Sequence, residues 1–294
     1  MDKYLTNTEK LVNHIYWFYE DLETLPKKKH YGLSINYTDL KERKDDFLSE
    51  LINTVVSWVY NNNKSKELLN SRLEETKDIG NAMNFVTNQA YKKFRKGYPQ
   101  GQFGELLLFN LIQYYYKAIP ILRKQRITTS VGHERFGADA IHYKKDGNDN
   151  IFILGESKCY ESKYGFNSAF ETSLNSVINT FNLLDKEIDL YLYDDFIESE
   201  LESVVKAYKA GELESVKFEL VCMVAYNETN KISGDNETSI KKAIKKIIKD
   251  RCKNFDQKKF EIINKALLTR INYIVFPIWE LDLLLDTFQS KVGS

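Results

Sequence analysis

Residues in the first third of the chain recur with the period of an amphipathic helix. Two sets have this spacing: Leu11, His14, Ile15 and Phe18, and later Phe47, Leu51, Val55 and Val59. The turn-forming sequence Pro99-Gln100-Gly101 then interrupts the pattern. The sequence therefore predicts a mainly helical N-terminal region over 1–98 and a separate domain over 99–294.

The second domain alternates between helical and strand-like patterns. The predicted elements are a helix over 102–118, a strand near 120–128, a hairpin of 135–144 with 151–158, a helix at about 166–186, an apolar strand at 218–226, a helix at 238–250 and a short strand at 273–277. A series of this kind builds an α/β domain, in which helices flank a mixed sheet.

A polar stretch between the two hairpin strands has the composition of a hairpin tip. It runs from Lys144 to Asn150 and contains an Asp-Gly step. A turn centred on Gly147 and Asn148 sets the register, which pairs Tyr143 with Phe152, Ile141 with Leu154 and Asp139 with Glu156. The first two pairs favour a sheet, whereas the third brings two carboxylates together.

Two carboxylates that face each other destabilise a sheet unless a cation joins them. A hard divalent cation such as Mg²⁺ takes oxygen ligands of this kind. Lys158 follows Glu156 by two residues and therefore lies on the same face of the strand. An acidic pair beside a lysine suits the hydrolysis of a phosphodiester. The structural alternative is that Glu156 and Lys158 form a partly buried ion pair and that Asp139 merely ends a strand.

Composition adds little to this interpretation. Lys+Arg and Asp+Glu both total 42, so the chain has no global basic field that would indicate nucleic acid. The three cysteines are far apart in sequence and suit a reducing compartment better than a disulfide scaffold or a zinc site. The charged start of the chain and the lack of a long apolar run predict a cytoplasmic protein without a signal peptide or a membrane span.

Charge is balanced over the whole chain but segregated locally. Residues 194–214 carry seven acidic residues against two lysines, and residues 240–260 carry nine basic residues against two acidic ones. Within 240–249 the isoleucines form an apolar stripe, and the lysines occupy the other side: Lys241, Lys242, Lys245, Lys246 and Lys249. This side is either a solvated helix face or a surface that binds phosphates or a protein partner.

The order of these elements, with Asp139 on one strand and Glu156-Ser157-Lys158 on the next, resembles the PD-(D/E)xK nuclease superfamily. Glu105, in Gly104-Glu105, is similar to the acidic residue that these enzymes often carry on the first core helix. The sequence from Gly132 to Ile141, together with Leu154–Lys158, resembles HamA, the nuclease subunit of the Hachiman anti-phage system, more closely still. That resemblance implies broad degradation of DNA, restrained by a partner, the superfamily 2 helicase HamB.

Within this interpretation Asp139, Glu156 and the Ser157 carbonyl hold Mg²⁺ or Mn²⁺. Lys158 orients or activates the attacking water, or offsets phosphate charge. Glu105 reaches the metal directly or through a water; alternatively, it is an acid that the helix dipole stabilises in a first turn. Three residues after the motif are candidate phosphate contacts, namely Tyr160, Ser162 and Lys163. His133 and His142 are expected to be structural or surface residues.

Two other classes of function stay open. One is an inactive nuclease fold that binds nucleic acid or a partner, although every acidic and basic member of the motif is present. The other is a restriction enzyme or a junction resolvase on the same fold, although the sequence has no recognisable DNA-reading module. A choice between DNA and RNA, and between a monomer and a homo-oligomer, does not follow from the sequence.

Overall fold

The computed structural model describes residues 5–94, 97, 99–122, 138–162, 165–184, 188 and 199–293. Its main feature is a seven-stranded mixed sheet in the order β1-β2-β9-β8-β7-β6-β5. The strands are β1 (Ile15–Asp21), β2 (Lys29–Ile35), β5 (Ile119–Leu122), β6 (Ala140–Asp146), β7 (Asp149–Tyr160), β8 (Val216–Asn227) and β9 (Ile271–Ile278), with a separate short pair, β3 (Tyr37–Thr38) and β4 (Lys41–Glu42). Strands β2, β9, β8 and β7 are mutually parallel, and β1, β6 and β5 pair antiparallel at the edges.

Helices cover both faces of this sheet. In the described ranges they are α1 (Glu9–Asn13), α2 (Lys44–Asn53), α3 (Val55–Val59), α4 (Asn62–Thr76), α5 (Ile79–Tyr91), α6 (Pro99–Tyr116), α7 (Gly165–Asn182), α8 (Ser199–Lys209), α9 (Glu237–Lys253), α10 (Lys265–Leu268) and α11 (Leu281–Val292). None of these helices combines the length and the apolar character that crossing a bilayer requires.

The hydrophobic core has two parts, one on each side of the sheet. Residues of α2, α3, α5, α6 and α11 form one cluster, and residues of α7, α8 and α9 form the other. Helix α6 is apolar on almost every side because it lies between the sheet and α11, where Phe103 packs edge-on against Phe288 at 5.6 Å between ring centroids. The expected mixed sheet between helices is therefore confirmed.

The predicted hairpin and its register are confirmed over β6 and β7. Ile141 pairs with Leu154 and Tyr143 with Phe152, and the ladder continues to Asp146 opposite Asp149. The two-residue turn works because Gly147 takes a φ of +57°, a conformation that glycine adopts without steric cost. The helices predicted over 102–118, 166–186 and 238–250 are observed as α6, α7 and α9, and the strands over 218–226 and 273–277 as β8 and β9.

The helix predicted through Leu11, His14, Ile15 and Phe18 is wrong in its second half. Helix α1 ends at Asn13, and β1 begins at Ile15. The sequence Ile15-Tyr16-Trp17-Phe18-Tyr19 is β-branched and aromatic, which fits a pleated surface better than a helix. Strand β1 pairs with β2, and β2 pairs in turn with β9 through Tyr31 and Gly32.

The N-terminal region thus contributes two strands to the same sheet as residues beyond Pro99. One core cluster also contains residues from both sides of this point, among them Trp58 and Phe103. The N-terminal region otherwise holds helices α1 to α5. The division into a region over 1–98 and a nuclease domain over 99–294 stays a prediction. The end of the strand predicted near 120–128 and the start of the hairpin at 135 lie outside the described residues.

His30, in β2, makes the stability of this sheet sensitive to acid. It is fully buried, its Nδ1 accepts the Tyr273 amide N–H at 3.2 Å, and its Nε2 lies 3.1 Å from the Pro26 carbonyl. Burial lowers the pKa of its imidazole from 6.5 to about 4. Because the folded state favours the neutral ring, this contribution to stability is complete above pH 6.5 and is lost as the pH falls through about 4.

We expect the free energy of unfolding to fall by on the order of 3 kcal/mol from this residue between pH 6.5 and 4. Urea denaturation at several pH values measures the effect. The variant His30→Gln should have a flatter profile over that interval. Parallel profiles for the wild type and His30→Gln would show that His30 is not responsible.

Candidate active site

Asp139 lies where β6 and β7 diverge. The hairpin ladder ends with Ala140 opposite Gly155, and Asp139 stands in a bend one residue outside it. The third predicted pair, Asp139 with Glu156, is therefore not a pair of the ladder. Its Oδ2 accepts the Ser157 backbone N–H at 2.9 Å and the Ser157 hydroxyl at 3.1 Å. Beyond the end of the ladder, the buried carboxylate therefore accepts a backbone N–H of β7. It lies directly beside the peptide bond that joins Glu156 to Ser157.

Glu156 points to the face of the sheet that α7 covers. Its Oε1 accepts the Thr180 hydroxyl at 3.0 Å, and its Oε2 lies 3.5 Å from the Lys158 Nζ. The Lys158 side chain is 24% exposed, whereas that of Glu156 is only 4% exposed. The sequence prediction that Glu156 and Lys158 share a face is confirmed, and the lysine lies on the solvent side of the acid.

The burial of these groups is energetically costly unless each has a partner. Asp139, Glu156 and Ser157 are all buried, and they lie together toward the carboxyl end of β7. Buried polar residues at the end of a strand lower the stability of the fold, and such residues are a frequent feature of functional sites. The hydrogen bonds to Asp139 and Glu156 offset part of this cost and hold the two carboxylates in place.

The neighbouring thiol does not take part in acid–base chemistry near neutral pH. Cys222 on β8 is the strand neighbour of Glu156, and burial raises its pKa to about 12. Burial also raises the pKa of the Cys159 thiol, further along β7. Burial thus favours the protonated form of both thiols near neutral pH.

Helix α6 begins against the same end of β7. A Cβ placed on Gly104 would lie 3.1 Å from the Ser157 Oγ, so the helix backbone passes close to the Ser157 side chain, which would have to shift slightly for a larger residue. At the first turn, the Gln100 Nε2 donates to the Glu161 Oε1 at 2.5 Å. Glu105 is thus one residue from the contact between α6 and Ser157, and it is half-buried.

Glu105 does not complete a triad of acids. Among the described residues, no group of three or more Asp, Glu, His or Cys side chains is placed to hold a metal ion. Within that part of the chain, Glu105, Asp139 and Glu156 are thus not found as one such group. A contact of Glu105 with a metal through water stays a prediction.

The chain matches one family of known proteins. The family model described as HamA matches residues 12–292, which is nearly the whole chain. The chain belongs to the HamA family. This membership connects it to the Hachiman anti-phage defence system. A search of curated proteins finds no match.

The lysine-rich helix of this HamA-family chain is α9. Its apolar stripe is confirmed, because Ile240, Ile244 and Ile248 are buried against the sheet. The lysines, however, do not form one common surface. Two of them, Lys242 and Lys246, are exposed, and Lys246 pairs with Asp250 at 2.5 Å within the helix.

Three lysines of α9 are instead directed at β1. The Lys241 Nζ lies 5.3 Å from the centre of the Tyr16 ring, and the Lys245 Nζ lies 5.4 Å from that of Phe18. Lys245 and Lys249 also both pair with Glu20, the latter at 2.9 Å. Because the sequence pattern predicts a helix where β1 lies, it does not distinguish these lysines from Lys242 and Lys246.

Of the other residues singled out in the sequence, some lie within the described ranges and some do not. His142 is buried on the face opposite Glu156, against Phe109, as predicted for a structural residue. Tyr160 is half-buried, and the Ser162 carbonyl accepts the Gly165 N–H at 2.9 Å at the start of α7. Lys163 and His133 lie outside the described residues, as does Gly132–Gly137 of the motif.

Two residues of α7 were missed by sequence reasoning. Thr180 bonds the Glu156 side chain, and the Ser173 hydroxyl lies 3.4 Å from the Glu156 carbonyl oxygen. Both interrupt the buried stripe of α7, in which the other members are apolar or small: Phe166, Ala169, Phe170, Leu174 and Val177. Hydroxyl residues seven positions apart within an apolar stripe are the signal that would have indicated a polar partner on the sheet.

Proposed function

We propose that this HamA-family chain is a metal-dependent nuclease that hydrolyses DNA in Hachiman defence. The observation that carries the proposal is a set of three charged side chains at one end of β7. The Asp139 carboxylate accepts from Ser157, the residue that follows the buried Glu156, and the Lys158 ammonium lies 3.5 Å from Glu156. This set of charges suits a phosphodiester and a cation far better than it suits an apolar core.

The donor atoms fit Mg²⁺ or Mn²⁺. Asp139 and Glu156 offer carboxylate oxygens, and the Ser157 carbonyl is the third oxygen that would hold the ion. Mg²⁺ is commonly bound through one or two carboxylates and keeps several of its waters, so two acids are sufficient. When bound, the ion lowers the pKa of a water and offsets charge on the scissile phosphate.

The side chains prepare this site before any ion arrives. Two donors of Ser157 fix the Asp139 carboxylate, and Thr180 fixes one oxygen of Glu156. Lys158 is the most exposed of the three charged groups, so its ammonium faces the side from which a phosphate would approach. There it would orient the attacking water or offset the negative charge of the substrate.

The order of elements supports a PD-(D/E)xK core. Helix α6, the antiparallel strands β5, β6 and β7, helices α7 and α8 and strand β8 come in this order, with Asp139 just before β6 and Glu156 and Lys158 on β7. This is the arrangement that the sequence resemblance implied. We therefore assign the chain to that superfamily as part of the same proposal.

Family membership also suggests a partner. We propose that a superfamily 2 helicase, HamB, restrains this chain until it meets abnormal DNA. A homo-oligomer, a restriction-type or resolvase-type enzyme and an inactive binding module are the competing possibilities. The Glu156–Lys158 pair favours the inactive module only if the sole role of Lys158 is to neutralise the buried carboxylate of Glu156.

Digestion assays test the proposed function. The purified chain, alone and with its helicase, is incubated with plasmid DNA, linear duplex DNA, single-stranded DNA and RNA. We expect Mg²⁺-dependent loss of DNA that a chelator abolishes, and a broad size distribution of products. A single defined cut would support a restriction-type enzyme. No cleavage in Mg²⁺ or Mn²⁺, with or without the helicase, would leave only a binding role.

The division of lysines on α9 makes a separate prediction about DNA binding. We expect the double variant Lys242→Gln and Lys246→Gln to reduce the slope of log affinity against log salt by roughly 1.8, since each neutralised phosphate accounts for about 0.9. The matched variant Lys241→Gln and Lys245→Gln should lower stability instead, because these lysines contact β1.

Fluorescence anisotropy at several salt concentrations measures this slope, and urea denaturation measures stability. Equal slopes for the wild type and the Lys242/Lys246 variant would show that the exposed lysines form only a solvated face. If that variant binds DNA normally but no longer associates with the helicase, then α9 is a protein interface.

A further inference from the structure

We infer that Thr180 is a positioning residue that fixes the carboxylate of Glu156 for metal binding. This inference rests on the proposed function, but it concerns a residue outside the Asp139, Glu156 and Lys158 motif. The Thr180 hydroxyl donates to the Glu156 Oε1 at 3.0 Å, across 24 residues of sequence. Both side chains are buried, so water does not compete strongly for this bond.

The position of Thr180 in α7 is unusual for a residue with a purely structural role. The helix packs on the sheet through Phe166, Phe170, Leu174 and Val177, and a further apolar residue would extend this contact. A buried hydroxyl without a partner costs free energy, so Thr180 is accommodated only because it has an acceptor. Within a helix, a threonine hydroxyl can find that acceptor in the carbonyl one turn earlier.

Here the single hydroxyl hydrogen is directed away from the helix to Glu156. Helix α7 holds the same residue at a second point, because the Ser173 hydroxyl lies 3.4 Å from the Glu156 carbonyl oxygen. The helix thus orients both the backbone and the side chain of Glu156. Since Oε1 is held by Thr180, Oε2 is the oxygen that faces Lys158.

This bond matters most before the metal is bound. The Glu156 side chain has three rotatable bonds, and ordering them at the moment of binding would weaken the affinity for the ion. Hydrogen bonds from outer residues to metal ligands typically account for 10- to 100-fold in metal affinity. We therefore expect the loss of the Thr180 hydroxyl to affect metal binding more than the maximal rate.

The test compares Thr180→Val, which keeps the shape but removes the hydroxyl, with Thr180→Ser, which keeps the hydroxyl. Mn²⁺ affinity is measured by calorimetry on the full chain, and the Mg²⁺ concentration for half-maximal cleavage is measured separately. We expect Thr180→Val to weaken Mn²⁺ binding about 10- to 100-fold. Its cleavage rate in saturating metal should change by only a few-fold, and Thr180→Ser should restore the affinity.

Thr172→Val is the matched control, because Thr172 lies on the same helix with no hydroxyl bond to Glu156 in the structure. It should bind Mn²⁺ like the wild type. If Thr180→Val does not fold by circular dichroism, Thr180→Ala is compared with Thr180→Ser for the same two readouts.

Two negative results have different meanings. If the wild type binds Mn²⁺ and cuts DNA, and the valine and alanine variants bind Mn²⁺ with unchanged affinity, the positioning role is wrong while the nuclease stands. An equal loss of affinity in Thr180→Ser would also contradict it, since that variant retains the donor. If the wild type neither binds Mn²⁺ nor cuts DNA, the proposed function fails, and the inference about Thr180 fails with it.

Discussion

Replacing Glu156 with Gln should lower DNA cleavage by at least about 100-fold while the protein stays folded. Glutamine has nearly the same volume as glutamate, and its amide oxygen can still accept the Thr180 hydroxyl. The change removes one negative charge from the site, next to the Lys158 ammonium. Loss of one such preorganised group typically costs on the order of 100-fold or more in rate. Initial rates of plasmid degradation in saturating Mg²⁺ measure the effect.

Lys158→Met should produce a loss of similar size, because methionine keeps much of the apolar stem and removes the ammonium. The matched control for Glu156→Gln is Glu161→Gln, which replaces a glutamate with glutamine just beyond the end of β7. Glu161 is exposed and contacts Gln100 rather than the acidic pair, so its variant should cleave at close to the wild-type rate. Full activity of Glu156→Gln at equal purity would remove Glu156 from the mechanism.

Asp139→Asn should abolish most of the stabilisation that Mg²⁺ or Mn²⁺ gives to the folded protein. A ligand that binds only the native state stabilises it by about 2.7 kcal/mol at one hundred times its dissociation constant. Asparagine removes the charge of one of the two proposed acidic ligands, but its side-chain oxygen can still accept a hydrogen bond from Ser157. The fold is thus retained while the attraction for the cation is greatly reduced.

Thermal unfolding with and without the ion measures this difference. Asp149→Asn is the control, because Asp149 lies at the far end of β7, at the surface, where it pairs with Lys217 at 2.5 Å. Its metal-induced shift in Tm should equal that of the wild type. An equally large shift in Asp139→Asn would show that the ion binds elsewhere or that Asp139 is not a ligand.

The sequence by itself determined the hairpin that carries the candidate site. The Asp-Gly step fixed the turn, and the alternation of Ile141, Tyr143, Phe152 and Leu154 fixed which residues face each other. Both signals are local, and a shift of one residue would move the apolar side chains to the wrong face. The face shared by Glu156 and Lys158 followed from the same period of two.

The sequence also determined most helices and central strands beyond Pro99, because long apolar runs and a clear helical period are strong local signals. The N-terminal strands were missed for the opposite reason. Residues 11–18 are too few to distinguish a helical period from a short strand. In the folded chain β2 pairs with β9 and β1 pairs with β2, and this tertiary pairing makes both segments strands.

Only the tertiary structure decided how the site is held together. The bonds from Ser157 to Asp139 and from Thr180 to Glu156 each join residues that are far apart in sequence. The hydroxyl residues in the apolar stripe of α7 indicate that a polar partner exists, but the sequence does not identify that partner as Glu156. The same holds for the lysines of α9, of which Lys245 and Lys249 are paired with Glu20 from the first strand. Sequence patterns thus placed Asp139, Glu156 and Lys158 on one hairpin. The packing of α7 determined the partner of Glu156, and the packing of α9 determined the partners of its lysines.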